Sequence, residues 1–392
     1  MNKNVWLLSL CQALLMTGNI LLISVIGLIG KHIAPAPSMI TLPVALQFLG
    51  LMSATIPASL ISGKLGRKRG FSIGNMIGIT GASLATFALF HQQFYLFCLA
   101  TFLLGIGIGF GTLYRFAAIE VCDENARHRA ISISMAGGVL AAVLGPNLAI
   151  MSQEWSADGL YIGAFAALIG LNVTALLLLQ TIQFPKVSLA QVSEKAEPLR
   201  QIITQPNFAM AVFAAMVSYA VMNILMTATP LAMIGCGFDF TKAAGVIEWH
   251  VLGMFVPAFF TGNLIEKFGA RMMILMGGLL FVACIAVNIH GQSIWHFRLA
   301  LVLLGVGWNF MFIAATSLFS QSYAAKNKAK AQAFNEFVVF GCVTITALLS
   351  GWLESTAGWK NLNIYVLPFV VAVIVLFAFG AKKSRALERR AG

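Results

Sequence analysis

LLGIGIGF (residues 103–110) returns in the second half of the chain as LLGVGWNF (303–310), and that echo decides the fold. Each copy lies in an apolar run long enough to cross a bilayer, and glycines at such spacing let helix backbones approach closely. A second echo falls between runs: SLISGKLGRK (59–68) aligns with GNLIEKFGAR (262–271) to within a few residues. Two echoes in the same order mean that one block of helices has been repeated. Midway lies the longest polar interval, Gln183 to Gln205, which holds Lys186, Glu194, Lys195, Glu197 and Arg200 together with Pro185 and Pro198. The chain therefore divides into an N-terminal six-helix bundle (1–182), a cytoplasmic central loop (183–207) and a C-terminal six-helix bundle with a basic cytoplasmic tail (208–392).

Charged residues are 10 % of the 392 and hydrophobic ones 59 %, the balance of an all-α integral membrane protein. The apolar runs predict twelve transmembrane helices in two pseudo-symmetric bundles, at 5–29, 40–62, 71–90, 94–119, 130–152, 159–181, 208–234, 243–264, 272–290, 295–322, 332–353 and 360–381. The first run has no small-residue cleavage pattern and is too long for a signal-peptide core, so it is expected to stay as the first helix. Of the 25 Lys and Arg, 20 fall with the N-terminus, the even-numbered loops and the C-terminus; Lys31, Lys242, Arg298 and Lys360 fall opposite, and Arg115 inside a span. Loops rich in Lys and Arg stay in the cytoplasm, which places both termini there. The same asymmetry accounts for the net charge of +12, so nucleic acid is excluded as a partner, and the tail from Lys382 to Arg390 is placed to touch anionic lipid. Among six cysteines only Cys236 is expected outside the helices and the cytoplasmic side, which leaves no disulfide within the chain on the far side. No nucleophile with a base, phosphate loop or closed metal site of the usual types is present, which argues against an enzyme.

The residues that carry chemistry lie in the seventh and eighth spans. Met222 and Met226 are four apart in one, His250 and Met254 four apart in the next, so each pair shares a helical face. Counted from the short link between these antiparallel spans, Met226 and His250 lie about 13 Å in, and Met222 and Met254 one turn deeper. Three thioethers and an imidazole at matched depth make a set that suits Cu(I). Packing methionines and a hydrogen-bonded core histidine are the alternative, and Met272 with Met276 repeats the same spacing elsewhere. The repeat sets Asn19 opposite Met222 and Gln47 opposite His250; these amides, with Arg115 and Asn309, are candidates for the solute pathway or for helix-to-helix hydrogen bonds. Pro146 and Pro230 are candidate hinges, since each removes a backbone hydrogen bond.

Parallel six-helix repeats, a polar central loop and a basic glycine turn after the second span resemble the major facilitator superfamily over essentially the whole chain. That resemblance implies alternating access, with solute held between the halves and Gly66, Arg67, Lys68, Gly262, Glu266, Lys267, Gly269 and Arg271 acting in conformational turns. Gly63 stands where the superfamily usually has an acid, and Glu266 keeps it in the second copy. MNILMTATPLAM (222–233), WHVLGM (249–254), FFTG (259–262), YRFAA (114–118) and AGGVLAAVLGPN (136–147) resemble the CcoA-like bacterial copper importers. This narrower resemblance implies import of Cu(I), as substrate rather than resident cofactor, across a bacterial inner membrane. It also implies a cytoplasmic copper acceptor protein, support of haem-copper oxidase assembly, a monomer, and Met222, Met226, His250 and Met254 as metal ligands. One inward charge gains about 2.3 kcal/mol per 100 mV, so the potential alone would drive uptake. Relatives in the same branch are associated with riboflavin, which keeps two rivals open: an importer of riboflavin or another organic solute, and a copper receptor that does not translocate.

Overall fold

The computed structural model describes residues 3–114, 117, 121, 127–153, 155, 161–184, 197–324 and 327–391. It is all-helical, twelve spans in two pseudo-symmetric bundles. The first bundle comprises Lys3–Ile33, Leu42–Leu65, Arg67–Phe90, Phe94–Gly111, Arg127–Gln153 and Ile162–Thr181. The second comprises Pro206–Gly235, Phe240–Phe255 continued by Ala258–Phe268, Ala270–His290, Ile294–Ser320 and Lys328–Ala391, the last holding two spans that part at Gly358 (φ 77°). Helices are dictated by the medium, because a backbone in hydrocarbon has no water to bond and must pair within itself.

Their ends are set by local chemistry. Gly66 (φ 87°) ends the second span and Gly269 (φ 83°) ends the eighth, equivalent places in the two copies, each in a conformation that disfavours an L side chain. Beyond each glycine a cation ties the turn to the last span of its own half: Lys68 Nζ donates to the Gln180 carbonyl (2.8 Å) and Arg271 Nε to the Phe377 carbonyl (2.6 Å). Gly262 and Glu266 lie exposed on the same turn, and Lys267 sits 5.3 Å over the Phe268 ring. At the opposite end, Asp239 caps the eighth span by accepting the Lys242 backbone N–H (2.8 Å), and that bond holds its carboxyl below the usual range.

The repeated glycines carry the packing within each half. A Cβ on Gly105 would strike the Gln47 carbonyl of span two, and one on Gly305 would strike the His250 carbonyl of span eight. Their neighbours repeat the pattern: Gly50 lies against the Phe102 carbonyl and Gly253 against that of Val302, while Gly107 meets Gly74 and Gly307 meets Gly277. Spans four and ten thus press two backbones together on each side, the close approach that small residues permit.

The two halves meet at the end remote from the chain termini. The Thr41 hydroxyl donates to the Leu348 carbonyl (2.9 Å) and accepts the Gly351 N–H (3.2 Å), and the Tyr161 and Phe240 rings lie 5.0 Å apart. About two turns deeper, Asn147 Nδ2 donates to Glu248 Oε2 (3.3 Å). On the termini side, the end of the central loop is fastened to the second half: Asn327 Nδ2 donates to Glu197 Oε2 (3.0 Å) while its Oδ1 accepts the Glu197 N–H (2.9 Å).

The eighth span departs from the expected single helix. It bends by 42° between Phe255 and Ala258, because Pro257 has no N–H to offer the carbonyl one turn back. Asn309 of span ten repairs the break: its Nδ2 donates to the Met254 carbonyl (2.6 Å) and its Oδ1 accepts from the Thr261 hydroxyl (2.6 Å). Helix runs on through Pro146 and Pro230, the two prolines read as hinges, and Gly145 brings span five against Ile20 and the Thr17 carbonyl of span one.

Gly105→Ala and Gly305→Ala should each cost about 1–3 kcal/mol by forcing two backbones apart, seen as a lower melting temperature in detergent; a change neutral at both sites would contradict this packing. Asn309→Leu should cost about 1–3 kcal/mol through the unpaired Met254 carbonyl, and an unshifted melting temperature would mean that the bend does not need it.

Candidate functional site

His250 is wholly buried, and its Nδ1 lies 2.8 Å from the Leu301 carbonyl of span ten. A carbonyl only accepts, so Nδ1 must carry the proton, and Nε2 is left as a buried acceptor with no partner among the described residues. Met222, Met226 and Met254 are also buried, in the apolar cluster that fills the second half. One ring nitrogen of the histidine thus ties span eight to span ten, and the other has no partner among the described residues.

Asn19 and Gln47 are bonded to each other, Gln47 Nε2 donating to Asn19 Oδ1 at 2.8 Å between spans one and two. Asn19 also lines a cavity of about 30 Å³ inside the first bundle, with Asn75 of span three and Asn172 of span six, space for a water or two. Both amides thus act within the first half, though Gln47 Oε1 remains buried without a partner among the described residues. Asn309 is the staple of the span-eight bend described above. Arg115 lies outside the described residues.

The aromatic content of the sequence offers stacking surfaces for an organic solute but singles out no residue, and the structure brings four such side chains together. Trp308 and Phe312 of span ten are one helical turn apart, their rings nearly parallel (11°) with centroids 5.0 Å apart. Tyr219 of span seven stands edge-on to both, at 5.5 Å and 5.3 Å, and reaches Phe340 of span eleven at 5.6 Å. Tyr219 packs against the apolar clusters of both halves, and Phe340 against that of the first. Three of the four rings are only partly covered, whereas Phe281 and Phe297, in the same half, are fully buried. One signal was present in the sequence: Trp308 stands where the first copy of the repeat has Ile108.

A family model described as Major Facilitator Superfamily matches residues 8–256 and 247–391. The riboflavin transporter RfnT of Brucella anthropi is 36 % identical over 375 residues, covering 95 % of this chain and 94 % of that one. The uncharacterized MFS-type transporter YddS of Bacillus subtilis is 26 % identical over 383 residues, covering 93 % and 88 %. Among solved structures, the nucleoside transporter NupG superposes with a TM-score of 0.70 at 13 % identity, covering 95 % of this chain and 99 % of that one. FucP follows with a TM-score of 0.63 at 17 % identity, covering 96 % and 98 %. These two likenesses speak for the fold alone. The copper reading is overturned by the first relative, which matches nearly end to end and is named for an organic solute, and the comparisons give no support to the CcoA-like branch. The copper inference rested on residue spacing, on the matched depth of the two pairs and on the resemblance to the CcoA-like importers, and four-residue spacing is equally what buried methionines on a helix face show. From the family model and the whole-length relative together, the chain belongs to the major facilitator superfamily.

Proposed function

We propose that this chain imports riboflavin, or an organic solute closely like it, across a bacterial cytoplasmic membrane by alternating access, with both termini in the cytoplasm. The observation that carries the reading is the end-to-end similarity to a riboflavin transporter. The distribution of Lys and Arg supports the orientation. In that orientation the contacts of Thr41, Leu348, Gly351, Tyr161 and Phe240 close the periplasmic end, so solute enters only when they part. A neutral solute gains nothing from the membrane potential, and the potential-driven scheme for a metal cation does not carry over to it. Flux then follows the solute gradient or a co-transported ion.

In a bacterium unable to make riboflavin, expression should restore growth at low external riboflavin. Met222→Leu and Met226→Leu, close in volume to the native side chains, should keep that rescue, whereas a copper cage would lose its ligands. Absence of rescue with the native protein present in the membrane would sink the proposal. The periplasmic closure has its own test. A Cβ at position 351 would lie 3.3 Å from the Thr41 Cβ, near the separation that a disulfide spans. Thr41→Cys with Gly351→Cys should cross-link under oxidation, abolish uptake, and regain it on reduction; full uptake through the cross-linked protein would contradict opening at that end.

A further inference from the structure

Tyr219, Trp308, Phe312 and Phe340 lie at the middle of spans seven, ten and eleven. Tyr219 is the fourteenth residue of Pro206–Gly235 and Trp308 the fifteenth of Ile294–Ser320, each about 20 Å along its helix at 1.5 Å per residue. That is the depth at which transporters with repeated halves hold their solute. We infer that these four side chains form a stacking box for the planar ring of a heteroaromatic solute, and that the ring rather than a sugar-like tail is the part the protein recognises. This inference rests on the organic-solute function proposed above and names the chemistry of its site.

Four features of the cluster point to a ligand rather than to ordinary core. First, the Trp308–Phe312 pair presents parallel faces, and Tyr219 meets both edge-on at interplanar angles of 87° and 81°. These are the contacts by which a further ring would join the stack, since offset faces and edges are the favoured aromatic contacts. Second, Tyr219, Phe312 and Phe340 are only part-covered although they lie at mid-depth between the halves. Third, Trp308 is 8 % exposed, yet its Nε1–H has no partner among the described residues; a buried donor left unpaired is costly, and a ring carbonyl or ring nitrogen would satisfy it. Fourth, Asn223 lies one turn from Tyr219 on the same helix. Its Nδ2 is held by the Val343 carbonyl (3.2 Å) and Thr346 Oγ1 (3.3 Å) of span eleven, while its Oδ1 is buried with no partner among the described residues. An aromatic face, one spare donor and one spare acceptor match a flat heterocycle that carries both a carbonyl and an N–H, as isoalloxazine does. The box is confined to one half. Its counterpart in the first half has Ile108 for Trp308 and Thr112 for Phe312, so the ring binds to the C-terminal bundle and the N-terminal bundle closes over it.

The test uses the purified full-length protein in lipid nanodiscs, with flavin fluorescence as the probe, because an excited flavin stacked on tryptophan or tyrosine is quenched. Riboflavin and lumiflavin, which has the ring without the ribityl tail, should both be quenched by the native protein, and lumiflavin should compete for riboflavin uptake while ribitol should not. Trp308→Leu and Phe340→Leu should each weaken flavin binding at least tenfold and reduce the quench. Trp308→Phe, which keeps a face but loses the N–H, should fall between. Melting temperature and elution volume establish that each variant is folded, and the half-buried Phe340 serves as the second site should Trp308→Leu not fold. Native transport of riboflavin with unchanged binding and quench in folded Trp308 and Phe340 variants would overturn the stacking box and leave the proposed function standing. Competition by ribitol but not by lumiflavin would do the same. A native protein that neither binds nor transports either flavin would overturn both.

Discussion

Two backbone contacts hold this molecule in shape: Gly105 beneath the carbonyl of Gln47, and Gly305 beneath the carbonyl of His250. Lipid tails are as apolar as leucine, so helices in a bilayer gain little by hiding greasy side chains from one another and associate through close fit and hydrogen bonds. A glycine beneath a facing carbonyl is that fit at its tightest. Because spans two and eight are pinned in this way, the residues they carry are fixed in direction. Gln47 is turned to Asn19, His250 to the Leu301 carbonyl, and the bend at Pro257 is placed where Asn309 can reach it.

The same constraint explains why the two halves look alike and work differently. The glycine contacts, the positive-φ turns at Gly66 and Gly269, and the bonds from Lys68 and Arg271 to the last span of each half are duplicated. What is not duplicated lies between them. The first half holds a small cavity at which Asn19, Asn75 and Asn172 meet apolar side chains, and the second carries Trp308 and its aromatic neighbours at mid-depth.

Much of this was legible in the chain. Unbroken apolar runs decide helix in a medium without water, and the LLGxG repeat marks equivalent faces of spans four and ten, so the architecture followed from composition and two internal echoes. The site was harder to see. Met222, Met226 and Met254 share helical spacing with any set of buried methionines, and no pattern in the sequence announces the bond between His250 Nδ1 and the Leu301 carbonyl of span ten. The aromatic cluster draws on three spans distant in sequence, and no local period joins Tyr219 to Phe340. The helix is broken at Pro257, where Asn309 bonds a carbonyl left free at the break, and it runs on through Pro146 and Pro230.

Solute counterflow in proteoliposomes tests the central claim most directly, since it reads translocation without reference to any driving ion. Vesicles loaded with unlabelled riboflavin and diluted into a trace of labelled riboflavin should accumulate label transiently above equilibrium, and protein-free vesicles should not. Label that rises no faster than in empty vesicles, with the protein folded and inserted, would contradict the account.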